Sequence, residues 1–189
     1  LATKGGFNNE SHNHNDVGHF ILYEKDKPVI IDTGSDTYSK KTFSDERYTL
    51  WNMQSSYHNL PDIAGFAQLA GSMYKAKNVI FDTNNRTVSL ELKEAYPKEA
   101  GIISFIRKIE VKDEIIIVQD DISLDKQGYI EGHLMLLLEP VIDKDVVYVN
   151  DTKIEIKNIQ TIEYEKISIL NVIGLNTGVP ERGEMAKAW

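Results

Sequence analysis

The stretch "KNVIFDTNNRTVSLEL", residues 77–92, has the pattern of two β-strands joined by a turn. In its second half, Val88, Leu90 and Leu92 alternate with polar residues, so they project from one face of an extended chain. The intervening Thr-Asn-Asn supplies residue types that favour turns. The stretch therefore predicts a hairpin with one apolar face, and such hairpins bury those faces together in an antiparallel sheet.

Most of the chain repeats this pattern. The runs "VGHFILY" (17–23) and "PVIID" (28–32) flank the polar "EKDK", which predicts a second hairpin. Further strand-like runs are "IISFIRKIEV", "EIIIVQDDI", "YIEGHLMLLLE", "DVVYVN", "TKIEIK", "QTIEYE" and "ISILNVI". About ten strands at spacings of about 8 to 12 residues are typical of an antiparallel sandwich or barrel. We therefore expect an all-β fold, a large antiparallel β-sandwich of about ten or more strands, in one domain over residues 1–189.

The composition argues against several classes of protein. With 29 acidic and 21 basic residues the net charge is -8, whereas nucleic-acid binding requires a concentrated basic surface. The chain has no cysteine, so a metal site would have to use His, Asp or Glu. No apolar run approaches the about 18 residues that span a membrane, and no signal peptide is recognisable. The chain begins at Leu1 rather than Met, so we expect a processed protein or a piece of a longer one.

Two regions interrupt the strand pattern. Residues 34–59 are rich in aromatic and polar side chains, and a connection of this length inside a compact domain usually carries function. A short helix is expected there over about residues 43–51, with Ser44 as its N-cap. The tail "GLNTGVPERGEMAKAW" combines Gly, Pro and charged residues, so we expect it to lie along the surface or to fray.

The run "SHNHNDVGHF" holds three of the five histidines in the chain. In an extended chain His12, His14 and Asp16 project from the same face, with neighbours about 6 to 7 Å apart. One histidine can then ligate a metal while the other faces an adjoining cleft. Together with His58 and Asp32 the cluster indicates a metal or catalytic site, and zinc suits a His/His/Asp set. Both aspartates are candidates for the carboxylate ligand.

Two other interpretations of this cluster are open. It could be a solvated polar loop in which Asn and Asp side chains stabilise turns. The motif His14-Asn15-Asp16 with distant His58 also has the form H-x-D…H, the two-histidine, one-carboxylate pattern of non-haem iron oxygenases. An arginine that binds the cosubstrate would be expected soon after the second histidine, whereas the next one is Arg86.

Three other candidates have simpler explanations. His19 and His133 alternate with apolar residues in strand-like runs, so we expect both to be structural. Arg107 shares a face with apolar residues of its own strand, and a cation in that position needs a partner. We favour a structural ion pair or an edge position, with a bidentate anchor for a substrate carboxylate as the alternative.

Two runs, "KGGFNNESHNHNDVGHFILYEKDKPVIIDTG" and "YSKKTFSDERYTLWNMQSSYHNLPDIAGFAQLAG", together resemble the C-terminal β-sheet domain of heparinase II/III-like polysaccharide lyases. The matching features are G-x-x-x-x-E-S-H-N-H-N-D-x-G, the I-D-x-G at a strand end, the R-Y pair and the later H-N. The resemblance covers about residues 4–71. It implies a β-sandwich that takes part in cleaving uronic-acid-containing polysaccharides by β-elimination.

The resemblance also assigns roles to individual residues. It implies that His14, Asp32 and His58 are zinc ligands, so Asp32 is the carboxylate that it selects. It implies that His12 faces the substrate cleft as an acid, a base or a group that polarises the carboxylate. It implies that Tyr48 of the R-Y pair reaches the substrate.

In the family, an N-terminal α/α toroid precedes the β-sandwich and the cleft lies between them. The resemblance therefore implies an anionic polysaccharide (heparin-, heparan sulfate- or alginate-like) and the toroid of a parent chain as partners. It implies a periplasmic or extracellular bacterial parent, and little or no activity for this chain alone. The alternative is a non-catalytic module that binds carbohydrate or braces a partner domain, for which nine tyrosines and two tryptophans offer stacking surfaces. The oligomeric state is left open.

Overall fold

The computed structural model describes residues 1–36, 39–169, 172–173 and 183–188, and these residues form antiparallel strands, turns and short 3-10 segments. The strands are β1 (Ala2–Thr3), β2 (Phe7–Asn8), β3 (Phe20–Glu24), β4 (Lys27–Ile30), β5 (Ser35–Asp36), β6 (Pro61–Ile63), β7 (Gly71–Lys75), β8 (Lys77–Asp82), β9 (Thr87–Glu91), β10 (Ile102–Lys112), β11 (Ile115–Leu124), β12 (Ile130–Gly132), β13 (Leu134–Leu136), β14 (Val141–Asp143), β15 (Val146–Val149), β16 (Thr152–Glu155), β17 (Tyr164–Ile169), β18 (Val172–Ile173) and β19 (Gly183–Ala188). The 3-10 segments are Lys41–Phe43, Asp45–Thr49, Trp51–Met53, Ser55–Tyr57, Lys93–Ala95 and Lys98–Ala100.

Two larger sheets organise the molecule. One has six strands in the order β1-β3-β4-β13-β19-β17, and the other has four in the order β11-β10-β9-β8. Smaller sheets pair β14-β15-β16, β12-β6, β18-β5 and β2-β7. Every pairing between these strands is antiparallel. The predicted all-β, antiparallel sandwich is confirmed.

The hairpin predicted for residues 77–92 is formed by β8 and β9. Asp82 pairs with Thr87, and the turn lies between them. The carboxylate of Asp82 accepts the backbone N–H groups of Asn84 and Asn85, at 2.9 and 3.1 Å. This aspartate therefore stabilises the turn by replacing backbone hydrogen bonds with side-chain ones.

The apolar faces of the strands form two main clusters. Leu90 and Leu92 are buried as the alternation predicts, and they belong to the cluster Val17, Ile63, Leu90, Leu92, Ala95, Tyr96, Ala100, Ile102 and Phe105. The second cluster is Phe20, Val29, Ile30, Ile109, Leu136, Val147 and Val149. Val88 packs against both clusters, so β9 joins them.

The hairpin of β3 and β4 positions two polar side chains beside each other. Its two turn residues, Lys25 and Asp26, have φ of 48° and 64°, and two such residues match the right-handed twist of a tight hairpin. The register pairs Leu22 with Ile30. The residues just outside this hairpin, His19 before β3 and Asp32 after β4, therefore lie at the same end of the sheet.

Residues 34–59 contain short 3-10 segments instead of the expected helix. Ser44 is the N-cap of Asp45–Thr49 and accepts the N–H of Glu46 at 3.3 Å, as expected of that residue. The helix does not continue, because Leu50 is extended with φ -74° and ψ 133°. Short polar side chains also compete for backbone groups here, and the hydroxyl of Thr49 donates to the carbonyl of Glu46 at 2.7 Å.

The expectation for the tail is wrong for its described part. Gly183–Ala188 forms β19, which pairs with both β13 and β17 inside the six-stranded sheet. An extended segment with strands on both sides has all its backbone groups available for ladder hydrogen bonds, which stabilises it more than a surface position would. Residues 174–182 and 189 lie outside the described part of the chain, as do residues 170–171 of the predicted strand run.

Candidate metal centre

Three separate segments bring two histidines and one aspartate together. His14 lies in the loop before β3, Asp32 lies two residues after the end of β4, and His58 ends the Ser55–Tyr57 segment. One ligand atom from each side chain lies within 4.8 Å of the other two. His14 and His58 are buried and Asp32 is half-buried. Of the residues that the structure describes, this is the one group of three or more acidic or imidazole side chains so arranged.

The spacing of the donor atoms fits a tetrahedral ion. Nδ1 of His14 lies 3.1 Å from Nε2 of His58, and that Nε2 lies 3.7 Å from Oδ2 of Asp32. Ligands about 2.0–2.1 Å from a tetrahedral zinc lie about 3.3–3.4 Å from one another. These two separations lie on either side of this value, and the third pair, His14 and Asp32, lies within 4.8 Å, so the three side chains can surround one metal ion.

The tautomer of His58 is fixed by a backbone carbonyl. Nδ1 of His58 lies 2.9 Å from the carbonyl oxygen of Gln54, and since a carbonyl oxygen only accepts, Nδ1 must carry the proton. Nε2 of the neutral ring therefore presents its lone pair to His14 and Asp32. A ligand histidine that donates its other N–H to a carbonyl is the usual arrangement in metal sites.

The electrostatics also suit a divalent cation. Burial lowers the pKa of His14 to about 4, helped by the neighbouring His58, and burial lowers the pKa of His58 as well. Burial alone would raise the pKa of Asp32, but the contact with His19 and the nearby His58 hold it below its usual range. At neutral pH the group has two neutral imidazoles and one carboxylate, a net charge of -1 that a cation would offset.

Arg47 and Tyr48 fix the loop that carries His14. Nη2 of Arg47 donates to the carbonyl oxygen of Asn13 at 2.7 Å, and the hydroxyl of Tyr48 donates to Oδ1 of Asn13 at 2.9 Å. On the other side of His14, the N–H of Asn15 donates to the carbonyl oxygen of Met53 at 2.9 Å. The R-Y pair therefore holds the H-N-H motif in place from the long connection.

His12 and Asp16 do not belong to this group of three ligand residues. His12 is exposed and has a φ of 59°, so the loop turns there and does not run as an extended strand. The side chains of His12 and His14 therefore do not project from one face, as they would in an extended chain. Asp16 forms an ion pair with Lys4. The structure thus groups Asp32 with the two histidines, and the H-x-D…H arrangement of an iron oxygenase is not formed.

Tyr48 lines an open pocket of about 510 Å³ next to the loop. The pocket is lined by Asn15, Asp45, Tyr48, Gln54, Ala67, Gln68, Leu69, Ala70 and Tyr74. Two tyrosine rings, three amide side chains and one carboxylate give it a polar character with aromatic surfaces. Gln54 belongs both to this pocket and, through its carbonyl oxygen, to the support of His58.

Arg107 is a buried structural residue in this geometry. It is 3% exposed, and its Nε and Nη2 donate to the two carboxylate oxygens of Asp120 at 2.7 and 2.6 Å. Its Nη1 donates to the carbonyl oxygens of Gly18 and Asn59, both at 2.8 Å. With these donors committed to the protein, the geometry gives no support to the alternative of a substrate anchor. His133 is also buried, and its Nε2 lies 3.4 Å from Oδ2 of Asp62.

The sequence interpretation missed His19 as part of this region. Its Nε2 lies 3.2 Å from Oδ2 of Asp32, and its ring centroid lies 5.1 Å from that of His58. The hairpin register gives only the neighbourhood, because residues just before β3 and just after β4 lie at the same end of the sheet. Alternation with apolar neighbours predicted a structural residue in a strand; His19 is buried just before β3, and alternation did not indicate which polar group it faces.

Among the residues that the structure describes, no lysine or arginine lines the pocket next to the loop. Lys40 and Lys41 line a second surface depression of about 680 Å³ together with Ser44, Asp45 and Glu46. Asp45 and Glu46 carry charges that oppose those of the two lysines. No helix in the described part of the chain is long and apolar enough to cross a membrane.

Comparison with known proteins gives two matches of different kinds. A family model described as "Heparinase II/III-like, C-terminal" matches residues 1–157, well beyond the 4–71 region that carries the sequence resemblance. A solved structure titled as a heparinase III gene product with methylated lysines aligns with a TM-score of 0.70 and 17% identity. The alignment covers 98% of this chain and 28% of that one. Among curated proteins nothing matches the chain.

Proposed function

The chain belongs to the heparinase II/III-like C-terminal family, and from this premise we propose that it is the β-domain of a polysaccharide lyase. The parent enzyme would cleave uronic-acid-containing polysaccharides by β-elimination, and zinc would be held by His14, Asp32 and His58. The observation that carries the zinc part is the convergence of two imidazole nitrogens and one carboxylate oxygen within 4.8 Å.

Bound zinc supplies a fixed positive charge at the junction of three chain segments. The three ligand residues join the loop before β3, the end of β4 and the end of the long 34–59 connection. Fixing these segments to one another also fixes Gln54 and Asn15, which line the neighbouring pocket. The metal centre would therefore shape the surface on which the polysaccharide lies.

The reaction itself requires two proton transfers. A base removes the proton from C5 of the uronate, the C4–O bond to the next sugar breaks, and a C4=C5 double bond forms. An acid then protonates the leaving oxygen. His12 is exposed at the start of the loop, and an imidazole side chain can serve as either a general acid or a general base. We propose Tyr48, whose hydroxyl is held by Asn13 at 2.9 Å, as a residue that contacts the substrate beside the pocket.

The charges of the described surface favour a polymer with few sulfate groups. Strongly sulfated polymers need dense basic clefts. Here Arg47 is committed to Asn13, and the two lysines at residues 40–41 lie beside two acidic side chains. A polymer whose main anion is the uronate carboxylate, as in alginate-like chains, therefore fits this domain better than a heparin-like one. A second domain of the parent, lining the cleft from the other side, would also contribute to the choice of polysaccharide.

The proposed parent has a further domain. This chain spans 28% of the length of the solved heparinase III structure that it aligns with. We propose that an N-terminal α/α toroid forms the other wall of the cleft and supplies the group that neutralises the uronate carboxylate. On this proposal the parent acts on polysaccharide in the periplasm or outside the cell, and this chain alone is inactive or nearly so.

The experiment compares variants of the full parent enzyme with this chain alone. Lyase activity is followed by the ultraviolet absorbance of the unsaturated uronate product, on alginate-like, heparan sulfate-like and heparin-like polymers. We expect His12→Ala and Tyr48→Phe to lower kcat at least about 10²-fold, because each removes a group that acts on the reacting sugar. The control is Lys108→Ala, an exposed residue of β10 outside the loop and the pocket. Rapid product formation by this chain alone would contradict the need for a second domain.

A non-catalytic carbohydrate-binding or domain-bracing module is the second candidate. The observation that favours it is the pocket with Tyr48 and Tyr74, because tyrosine rings stack on sugar faces whether or not a reaction follows. The same variants separate the two functions. If His12→Ala leaves turnover unchanged and only polymer affinity falls, the binding module is the better description.

A further inference from the structure

His19 lies beside the metal group without belonging to its ligand set. Its Nε2 is 3.2 Å from Oδ2 of Asp32, and the ring is only 5% exposed. This Nε2 is fully buried and forms no regular hydrogen bond in the described part of the chain, and Oδ2 of Asp32 lies at ion-pair distance from it. A buried imidazole N–H without an acceptor would be costly, so the carboxylate of Asp32 is the group that compensates for its burial.

The backbone N–H of Asn59 fixes the tautomer of His19. This N–H donates to Nδ1 of His19 at 3.0 Å, so Nδ1 holds a lone pair and the proton of the neutral ring is on Nε2. The proton-bearing nitrogen is thus the one that faces Asp32. Because a protonated ring nitrogen cannot ligate a metal, His19 offers Asp32 a donor and does not compete with His14 or His58 for the ion.

Asn59 is itself held rigidly, which gives His19 a fixed position. Its Nδ2 donates to the carbonyl oxygens of Phe20 and Ile31, at 2.6 and 3.0 Å, and its Oδ1 accepts the N–H of Met135 at 2.6 Å. Arg107 donates to the carbonyl oxygen of Asn59 at 2.8 Å. Asn59 follows His58 directly. The same short segment therefore supplies one proposed ligand, His58, and orients His19, which contacts a second ligand, Asp32.

The two oxygens of Asp32 have separate partners. Oδ1 accepts the backbone N–H of Gly34 at 2.6 Å. Oδ2 faces both Nε2 of His19, at 3.2 Å, and Nε2 of His58, at 3.7 Å. A carboxylate oxygen has two lone pairs, so one can accept from His19 while the other points to the space between His14 and His58.

We propose that His19 is a positioning residue that aims Oδ2 of Asp32 at the metal. This inference rests on the proposed metal site. The Nε2–H of His19 prevents the carboxylate of Asp32 from rotating away from the metal. The position of His19 is fixed by the N–H of Asn59, and Asn59 is in turn held by Arg107. Donors of this kind behind a ligand typically raise metal affinity about 10–100-fold.

Two conservative variants separate the donor role from a merely structural one. The amide nitrogen of glutamine in His19→Gln can occupy the place of Nε2 and donate to Asp32. The amide oxygen of asparagine in His19→Asn can occupy the place of Nδ1 and accept from Asn59, but it leaves Asp32 without its donor. A structural role in holding Asn59 is therefore preserved by His19→Asn, and the positioning role by His19→Gln.

The test measures zinc affinity of this chain by competition with a chromophoric chelator, together with the visible spectrum of the cobalt-substituted protein. Wild type, His19→Gln, His19→Asn and His14→Ala are compared, and circular dichroism verifies that each variant is folded. We expect zinc affinity to fall about 10–100-fold in His19→Asn and several-fold or less in His19→Gln. We also expect the cobalt spectrum of His19→Asn to change, because the geometry of Asp32 would change.

Each alternative result overturns a different statement. If both His19 variants bind zinc as wild type does while His14→Ala does not, the metal site stands and the role of His19 is wrong. If both variants lose zinc as completely as His14→Ala, His19 is a ligand and not a positioning residue. If wild type itself binds no zinc, the metal site is wrong, and the proposed role of His19 fails with it.

Discussion

Nδ1 of His14 and Nε2 of His58 lie 3.1 Å apart in a buried site, although Nε2 of His58 carries no proton. Two such nitrogens can lie this close in only two ways. Either His14 donates a proton to His58, or a cation lies near both lone pairs. The carboxylate of Asp32, 3.7 Å from Nε2 of His58, favours the cation because it supplies the negative charge that a metal site needs.

Removal of metal should therefore lower the stability of the chain. A ligand that binds only the folded state adds about 2.7 kcal/mol at a free concentration one hundred times its Kd. For a protein of this length that corresponds to an increase of roughly 5–10 °C in Tm. We expect zinc to raise the Tm of the chelator-treated protein by this order, measured by differential scanning calorimetry.

The matched control for this measurement uses two histidines of the same loop. His14→Ala should abolish the response of Tm to zinc, whereas His12→Ala should keep it, since His12 is exposed and outside the ligand group. A zinc response of equal size in His14→Ala would show that the metal binds elsewhere.

Acid should destabilise the metal-free protein in a defined pH range. Burial lowers the pKa of His14 from 6.5 to about 4, so the unfolded chain takes up a proton in this range and the folded chain does not. Stability is fully present above pH 6.5 and is lost as the pH falls toward 4. The contribution of His14 is about 3 kcal/mol, and His58 changes stability in the same direction.

Urea unfolding of the metal-free protein at a series of pH values measures this effect. In His14→Gln the free energy of unfolding should fall less steeply between pH 6.5 and 4, because one group that takes up a proton on unfolding is gone. His12→Ala should keep the slope of the wild type. Identical slopes for His14→Gln and wild type would mean that His14 is not buried in the neutral form.

The glycine of the H-N-H-N-D-x-G motif should not tolerate a side chain. Gly18 has a φ of 90°, and a Cβ there would lie 2.5 Å from Cδ1 of the fully buried Leu92. We expect Gly18→Ala to lower the free energy of unfolding by about 2–4 kcal/mol, from backbone strain and overpacking together. Gly132→Ala is the control, since a Cβ at Gly132 meets nothing within 4 Å. Equal stability of the two variants, measured by urea unfolding, would contradict this explanation of the motif.

Strand periodicity was sufficient to predict the class of fold and its local hairpins. The alternation in residues 86–92 correctly predicted that Leu90 and Leu92 are buried, because alternating apolar residues share one face of a strand and that face packs in the core. The order of strands in the sheets depends on contacts between distant residues, which alternation does not encode. The insertion of β19 between β13 and β17 is such a case, since Gly and charge in the tail favoured a surface position.

For the site, local spacing alone left the carboxylate undecided between Asp16 and Asp32. The loop turns at His12, where φ is 59°, so His12, His14 and Asp16 do not share one face as they would in an extended chain. Asp16 pairs instead with Lys4, which is distant from it in sequence. Asp32 lies near the histidines at the end of the hairpin, and His19 lies at the same end, with its Nε2 3.2 Å from Oδ2 of Asp32. Family resemblance selected Asp32 for the ligand set but carried no information on His19.

The ion pair of Arg107 and Asp120 should be essential for stability. Removing one partner of a buried charge pair leaves the other uncompensated, which costs about 3–5 kcal/mol. Asp120 is partly exposed, so we expect about 3 kcal/mol for Arg107→Met, measured by urea unfolding. Arg107→Lys should recover only part of this loss, because an ammonium cannot reproduce the bidentate contact and the two bonds to the carbonyl oxygens of Gly18 and Asn59.

The control for Arg107 is its neighbour in β10. Lys108 is exposed and pairs with Glu110 at 3.2 Å on the opposite face, and exposed pairs contribute about 0–1 kcal/mol. Lys108→Met should therefore change stability by less than about 1 kcal/mol. If Arg107 were instead a substrate anchor, Arg107→Lys would leave the fold intact and raise KM in the parent enzyme. Because Arg107 also holds Asn59, and through it His19, we expect the loss of zinc affinity in Arg107→Lys to accompany the loss of stability.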